Sequence, residues 1–175
     1  ENLNDLDSIP DFTFKELESK ENNDILNTKI IGKEDVNIAK LITQLDNSDW
    51  VKNGVDYLKS TENMCPFCQQ GINDSLKTEI ESFFDESYET QISEFEIFVT
   101  DYKTYINGLF SDITKLIGIT KLTGKEHLKI DSDKISEKLN HLKTQFEKNE
   151  SQLVEKQKNP STQIKLNTLK SDLNE

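Results

Sequence analysis

With 175 residues, of which 33% are hydrophobic and 31% charged, the chain has room for one domain, or for a small domain plus a long helical hairpin. Its net charge of −12, with lysine as the only basic residue type, argues against gripping a phosphate backbone, because nucleic-acid binders cluster positive charge. No apolar run approaches the roughly 18 residues of a membrane span, so neither a membrane nor a direct nucleic-acid contact is expected, and the reading is cytoplasmic.

The opening Glu1-Asn2-Leu3-Asn4-Asp5 does not read as a signal peptide, and the chain reads as a piece of a larger protein. Residues 1–33 are the least legible. Ile9 to Phe14 could run extended past Pro10, and Phe14 to Leu26 carries a weak helical pattern that Gly32 ends. Ile38, Leu41, Ile42 and Leu45 have the spacing of a short amphipathic helix. Ser48 then serves as an N-cap for a helix carrying Trp50, Val51, Val55 and Leu58, with Trp50 read as a core anchor.

Cys65-Pro66-Phe67-Cys68 follows, the only cysteines in the chain. Two cysteines separated by two residues can reach one metal ion from a tight turn, and Pro66 pre-sets the turn dihedral. A structural zinc site wants four ligands, so this is half a site. His127 and His141 do not complete it by spacing: 13 residues lie between them, where zinc-finger histidines lie about three to five apart. Three readings stay open. The turn shares one zinc with the same turn of a second copy, or the pair is a redox-active dithiol, or it is two reduced thiols without metal.

Beyond Gly71, Leu76, Ile80, Phe84 and Tyr88 are spaced by four. Tyr88, Ile92, Phe95, Val99, Tyr102, Ile106, Leu109, Ile113 and Leu116 then alternate four and three, a coiled-coil seam. One helix is expected over about 72–117, interrupted if anywhere near Gly108, with a loop over 118–131. A second seam runs through Ile135, Leu139, Leu142, Phe146, Asn149 and Leu153 on a helix of about 132–158, capped by Ser132 or Asp133. The short loop between the two favours an antiparallel hairpin. Asn149 either sets the register as a buried polar group or, by default, marks an end where the seam is already wet. Asn159-Pro160-Ser161 breaks the helix, and Ile164, Leu166, Leu169 and Leu173 read as the start of a further helix over 162–175.

Other motifs dissolve. Gly118 to Gly124-Lys125 has five intervening residues where a phosphate loop has four, and Glu126 stands at the Ser/Thr position. The acidic stretch Glu79, Glu81, Asp85 and Glu86 reads as a solvated helix face, and both histidines read as surface residues.

The block Asn47-Ser48-Asp49-Trp50-Val51-Lys52-Asn53-Gly54, with Tyr57-Leu58 and then Cys65-Pro66-Phe67-Cys68-Gln69-Gln70, resembles the coiled-coil insertion of bacterial SMC-like AAA/ABC-type ATPases of the anticodon-nuclease group (PrrC/RloC-like). Phe83-Phe84-Asp85-Glu86-Ser87-Tyr88, Asn149 and Lys156-Gln157-Lys158-Asn159-Pro160-Ser161 extend the match from about residue 30 onward. The resemblance implies that Cys65 and Cys68 correspond to paired cysteines that act as a zinc hook in some members. It also implies a parent ATPase, acting in phage defence or nucleic-acid surveillance and carrying a nuclease in some cases. ATP and magnesium would bind the parent only. The chain departs from the ATPase core in having no phosphate loop, ABC signature or Walker B strand. Gln69 stands where many zinc knuckles carry glycine.

The expectation is therefore a mostly α fold. Residues 1–71 form a small helical subdomain ending in the cysteine turn, and residues 72–175 a long antiparallel coiled-coil arm. The chain would be non-catalytic, with Cys65 and Cys68 as metal ligands and Phe67 a contact at the turn. Its partners would be a second copy and the remainder of the ATPase. The alternatives are a redox-sensing thiol pair linking subunits and a protein-binding helical module with inert cysteines.

Overall fold

A computed structural model describes residues 15–61, 64–65, 68–123 and 132–169. The expectations made for Ile9 to Phe14, Pro66, Phe67, Gly124, His127 and Leu173 lie outside the described residues. The elements are α1 (Lys15–Glu21), a 3-10 turn (Asp24–Leu26), α2 (Ala39–Leu45), α3 (Ser48–Ser60), α4 (Asp74–Phe83), α5 (Glu86–Thr123) and α6 (Ser132–Lys158). Among the described residues there is no strand, only an isolated antiparallel bridge between Met64 and Gly71. The fold class is mostly α, as the periodicity indicates.

The single helix expected over 72–117 is two helices, and the break lies at Phe84-Asp85 rather than Gly108. Two local effects place it. The Asp85 carboxylate accepts from the backbone N–H of Ser87 at 3.0 Å and of Tyr88 at 3.2 Å, capping α5. Phe83 is pulled inward, 1% exposed, and its carbonyl accepts from Lys33 N at 2.8 Å. Gly32 permits that approach: a Cβ there would lie 2.3 Å from the Phe83 ring and 2.5 Å from its carbonyl oxygen. Past the break, α5 runs 38 residues without interruption through Gly108 and Gly118, about 57 Å at 1.5 Å per residue. The loop expected from 118 thus cannot begin before 124.

Helices α5 and α6 pack antiparallel. Phe110 meets Phe146 at 5.8 Å between centroids, Lys103 pairs with Glu150 at 3.1 Å, and Lys156 lies 5.5 Å over the Phe95 ring. Of the expected seam, Tyr88, Phe95, Val99, Tyr102, Ile106, Leu139, Leu142, Phe146 and Leu153 are buried. Phe98 and Phe110 are buried as well, off that seam. They are covered because the core takes in more than a helix pair. Leu17, Leu26, Ile30, Ile164, Leu166 and Leu169 join the same apolar cluster. Helix α1 is tied to α5 through Lys20, which pairs with Asp101 and lies 5.5 Å over the Tyr105 ring.

Residues 162–168 are not the helix expected there. Ile164 and Leu166 are buried at the two-residue period of extended chain. Ile164 N donates to Leu26 O at 2.9 Å and Ile30 N to Pro160 O at 3.1 Å, so the segment's backbone groups pair with the 26–30 stretch rather than along a helix. A smaller cluster of Ala39, Ile42 and Phe83 lies beside the main one, and Phe84 packs against both. Trp50 is not the core anchor expected: it is 59% exposed.

Candidate functional site

The thiol turn is built from the end of α3. The Thr61 hydroxyl donates to Tyr57 O at 3.0 Å and to Met64 O at 2.6 Å, and Met64 N donates to Thr61 O at 3.0 Å. The chain then reverses: Cys65 N donates to Gln70 O at 2.8 Å, and Gln69 N donates to Cys65 O at 2.9 Å. Gln69 adopts φ 58°, the left-handed conformation that glycine takes most readily. The tight turn forms without glycine, at a cost of about 1 kcal/mol. Asn73 caps the outgoing α4 by accepting from Leu76 N at 2.8 Å. Cys68 is exposed, Cys65 half-buried, and neither is in a disulfide.

Among the described residues, no group of three or more His, Cys, Asp or Glu side chains comes together as a metal site. His141 is exposed on α6. Two sulfur donors on one turn are half of a tetrahedral set. The residues fit zinc only where a second donor pair is brought to them. In the acidic stretch, Glu81 and Glu86 are exposed, and Asp85 serves as the cap already described.

A second constellation was missed by reading the sequence. Asn149, at the seam position read by default as wet, is 0% exposed. Its Nδ2 donates to Tyr102 Oη at 2.9 Å and to Asn167 O at 3.0 Å, while its Oδ1 accepts from Asn167 N at 2.7 Å and Asn167 Nδ2 at 3.1 Å. Burial raises the Tyr102 hydroxyl well above its ordinary pKa, with the Asn149 hydrogen bond opposing.

About two turns further along α6, Lys156 is also 0% exposed. Its Nζ donates to Thr28 O at 2.7 Å, Pro160 O at 3.2 Å and Thr162 O at 2.6 Å. Three acceptors match the three N–H groups of an ammonium. Burial lowers the lysine pKa, and the charge of Asp49 opposes this. Asp49, in the first turn of α3, accepts from Ser161 N at 3.2 Å and from Ser161 Oγ at 2.6 Å. The Ser48 N-cap expected there is not seen; Asn47 holds the cap position and makes no side-chain cap bond.

Glu21 closes the set. It is 4% exposed, and its Oε1 accepts from Leu169 N at 2.9 Å, while Oε2 has no partner among the described residues. Burial pushes its pKa up to about 7, the Leu169 N–H opposing and Glu18 adding. The sequence signals that could have revealed these residues are a lysine in phase with the α6 seam and the Ile164-x-Leu166 alternation after Pro160.

The residues that carry the resemblance, Asp49 in the tryptophan block and Lys156 to Ser161, are thus brought together in space. A family model described as an AAA domain matches residues 1–175, the whole chain. The chain belongs to the AAA domain family. That places it in the setting of an SMC-like, AAA-type ATPase. The family match extends over a sequence without the G-x-x-x-x-G-K-[ST] run that cradles nucleotide phosphates. No curated protein and no solved structure matches this chain. No helix among its described residues is long and apolar enough to cross a membrane.

Proposed function

We propose that this chain is the non-catalytic coiled-coil arm of a larger SMC-like ATPase, holding two copies together or relaying closure of the ATPase heads. The observation that carries the reading is a family match along all 175 residues of a sequence that lacks a phosphate loop. The long antiparallel α5–α6 pair supports it, since such a pair is a stiff lever whose two ends move together. ATP and magnesium would be held by the rest of the parent protein, which would act in phage defence or nucleic-acid surveillance as an ATPase of the anticodon-nuclease group.

In this reading Cys65 and Cys68 are zinc ligands, and the same two residues of a second copy complete the tetrahedron. Zinc would supply the cross-link and no chemistry. A shared structural zinc can contribute on the order of 10 kcal/mol, enough to hold two chains through a small contact. The compact turn, closed by the Cys65–Gln70 and Gln69–Cys65 hydrogen bonds, supports presenting both sulfurs from one face.

Zinc content and sedimentation of the chain test this. The expected result is one zinc per two chains, with metal and dimer both lost in Cys65→Ser. Metal-free protein whose turn titrates as a low-pKa thiol would replace the hook with a redox-sensing pair. An oligomeric state unchanged in the Cys65→Ser/Cys68→Ser double variant would leave a helical binding module with inert cysteines.

A further inference from the structure

The stretch from α1 to Lys33 runs beside α5 in the opposite direction. Lys33 N donates to Phe83 O at 2.8 Å, just before α5 begins. Ile25, Thr28 and Ile30 share a shallow cavity with Gln91 and Glu94. Lys20 pairs with Asp101 and lies over the Tyr105 ring, and the Leu17 backbone meets the Tyr105 hydroxyl. Going back from residue 33 to residue 17, the contacts therefore climb from Phe83 to Tyr105. The N-terminal end of α1 points along α5 toward Leu109 and the turns beyond it.

Beyond α1 the helix pair has an open side. Phe98 and Tyr102 are buried where α1 lies beside them. Leu109 and Ile113 continue their row past Tyr105 at three- and four-residue steps, and both stay half-buried although they pack against the main core. Charge sets this end apart as well. Within a chain of net charge −12, residues 107–123 and 132–145 carry five lysines against Asp112, Asp133 and Glu137. Residues 1–14 carry the opposite sign, with Glu1, Asp5, Asp7 and Asp11 and no lysine. The same segment holds Leu3, Leu6, Ile9, Phe12 and Phe14. A segment of that length can span up to about 46 Å, whereas the 107–123 part of α5 rises about 26 Å.

We propose that residues 1–14 dock along α5 beyond α1, setting apolar side chains on Leu109 and Ile113 and carboxylates among the lysines. The direction of α1, the reach of the segment and the opposite charge all favour this occupant over a second copy. Attachment favours it too: a tethered segment meets its site at an effective concentration on the order of millimolar. A second copy, acidic overall, has to arrive by collision. The docked segment continues the interface that α1 already makes with α5 and clamps the far half of the hairpin to the start of α1. None of this depends on zinc or on the thiol turn.

Amide hydrogen exchange of the full chain, read peptide by peptide, tests this. In the Ile9→Ser/Phe12→Ser variant, exchange over 107–117 is expected to quicken about tenfold while 88–102 stays unchanged. Asp5→Lys/Asp7→Lys should act in the same direction, most clearly at low salt. Both pairs lie upstream of α1, so the helices are expected to persist, which circular dichroism checks. Faster exchange confined to 107–117 in either variant supports the docking. Unchanged exchange there in both variants would overturn it. So would a quickening spread evenly along α5, which reports only a general loss of stability. Protection of 107–117 that rises with protein concentration would assign this side to a second copy instead. Sensitivity to Leu173→Ser alone would assign it to the other end of the chain, and either result overturns the proposal.

Discussion

Asn149 Nδ2 donates to the Tyr102 hydroxyl at 2.9 Å, inside the contact between α5 and α6. The same amide accepts from Asn167 N at 2.7 Å, so one side chain pins the helix pair and the extended C-terminal segment together. Each buried polar group left unpaired costs about 1–3 kcal/mol. Asn149→Ala is therefore expected to lower unfolding free energy by about 2–4 kcal/mol in urea titration, with Tyr102→Phe costing about 1 kcal/mol. A loss near zero for Asn149→Ala would mean that water reaches this position.

Lys156 ties three carbonyls from two separate stretches of chain, at Thr28, Pro160 and Thr162. Lys156→Met keeps much of the volume and removes every donor, for an expected loss of about 2–4 kcal/mol. Lys156→Arg should not restore stability, because a planar guanidinium cannot aim at three converging acceptors as an ammonium does. Thermal unfolding of both variants checks this; an Arg variant as stable as wild type would contradict the assigned geometry.

Glu21 gives the fold a pH dependence of definite sign. Its pKa is about 7 in the folded chain against 4.5 ordinarily. Between those values the folded state holds a proton that the unfolded state has released. Its contribution is fully present below pH 4.5 and declines as pH rises to about 7. The decline amounts to about 3 kcal/mol. Glu21→Gln mimics the protonated form, so it should flatten the stability profile over this window and stabilise the chain at pH 8. An unchanged slope between pH 5 and pH 7 in the variant would reject the assignment.

Two glycines should respond oppositely to alanine. At Gly32 the added Cβ meets the Phe83 ring at 2.3 Å and the Phe83 carbonyl at 2.5 Å, and such overpacking costs about 1–3 kcal/mol. At Gly108 nothing lies within 4 Å. There, alanine inside α5 should stabilise by about 0.5–1 kcal/mol. Melting temperatures moving in opposite directions would verify the pair.

Much of the helical framework was legible because its signals are local. The four-and-three spacing from Tyr88 to Leu116 and from Ile135 to Leu153 marked α5 and α6, and α6 covers the expected range of 132–158, with Ser132 and Asp133 inside the helix rather than capping it. Where the spacing misled, a competing local signal was present. Asp85 two residues before Ser87 is a capping pattern, and it overrode the four-residue spacing through Phe84. Ile164-x-Leu166 after Pro160 reads equally as extended chain, and the neighbouring 26–30 stretch decided for that form. Trp50 was read as a core residue from its chemistry alone, and the face of α3 on which it sits is turned outward.

The sequence by itself determined the helical class, the two long seams and the half-set of thiol donors, because each depends on residues a few positions apart. Tertiary structure alone decided the partners of Glu21, Asp49, Asn149 and Lys156. Glu21 meets Leu169 across 148 positions, and Lys156 meets Thr28 across 128. A buried polar side chain must find hydrogen bonds wherever the fold supplies them, and no periodicity along the chain encodes which carbonyl or amide that will be.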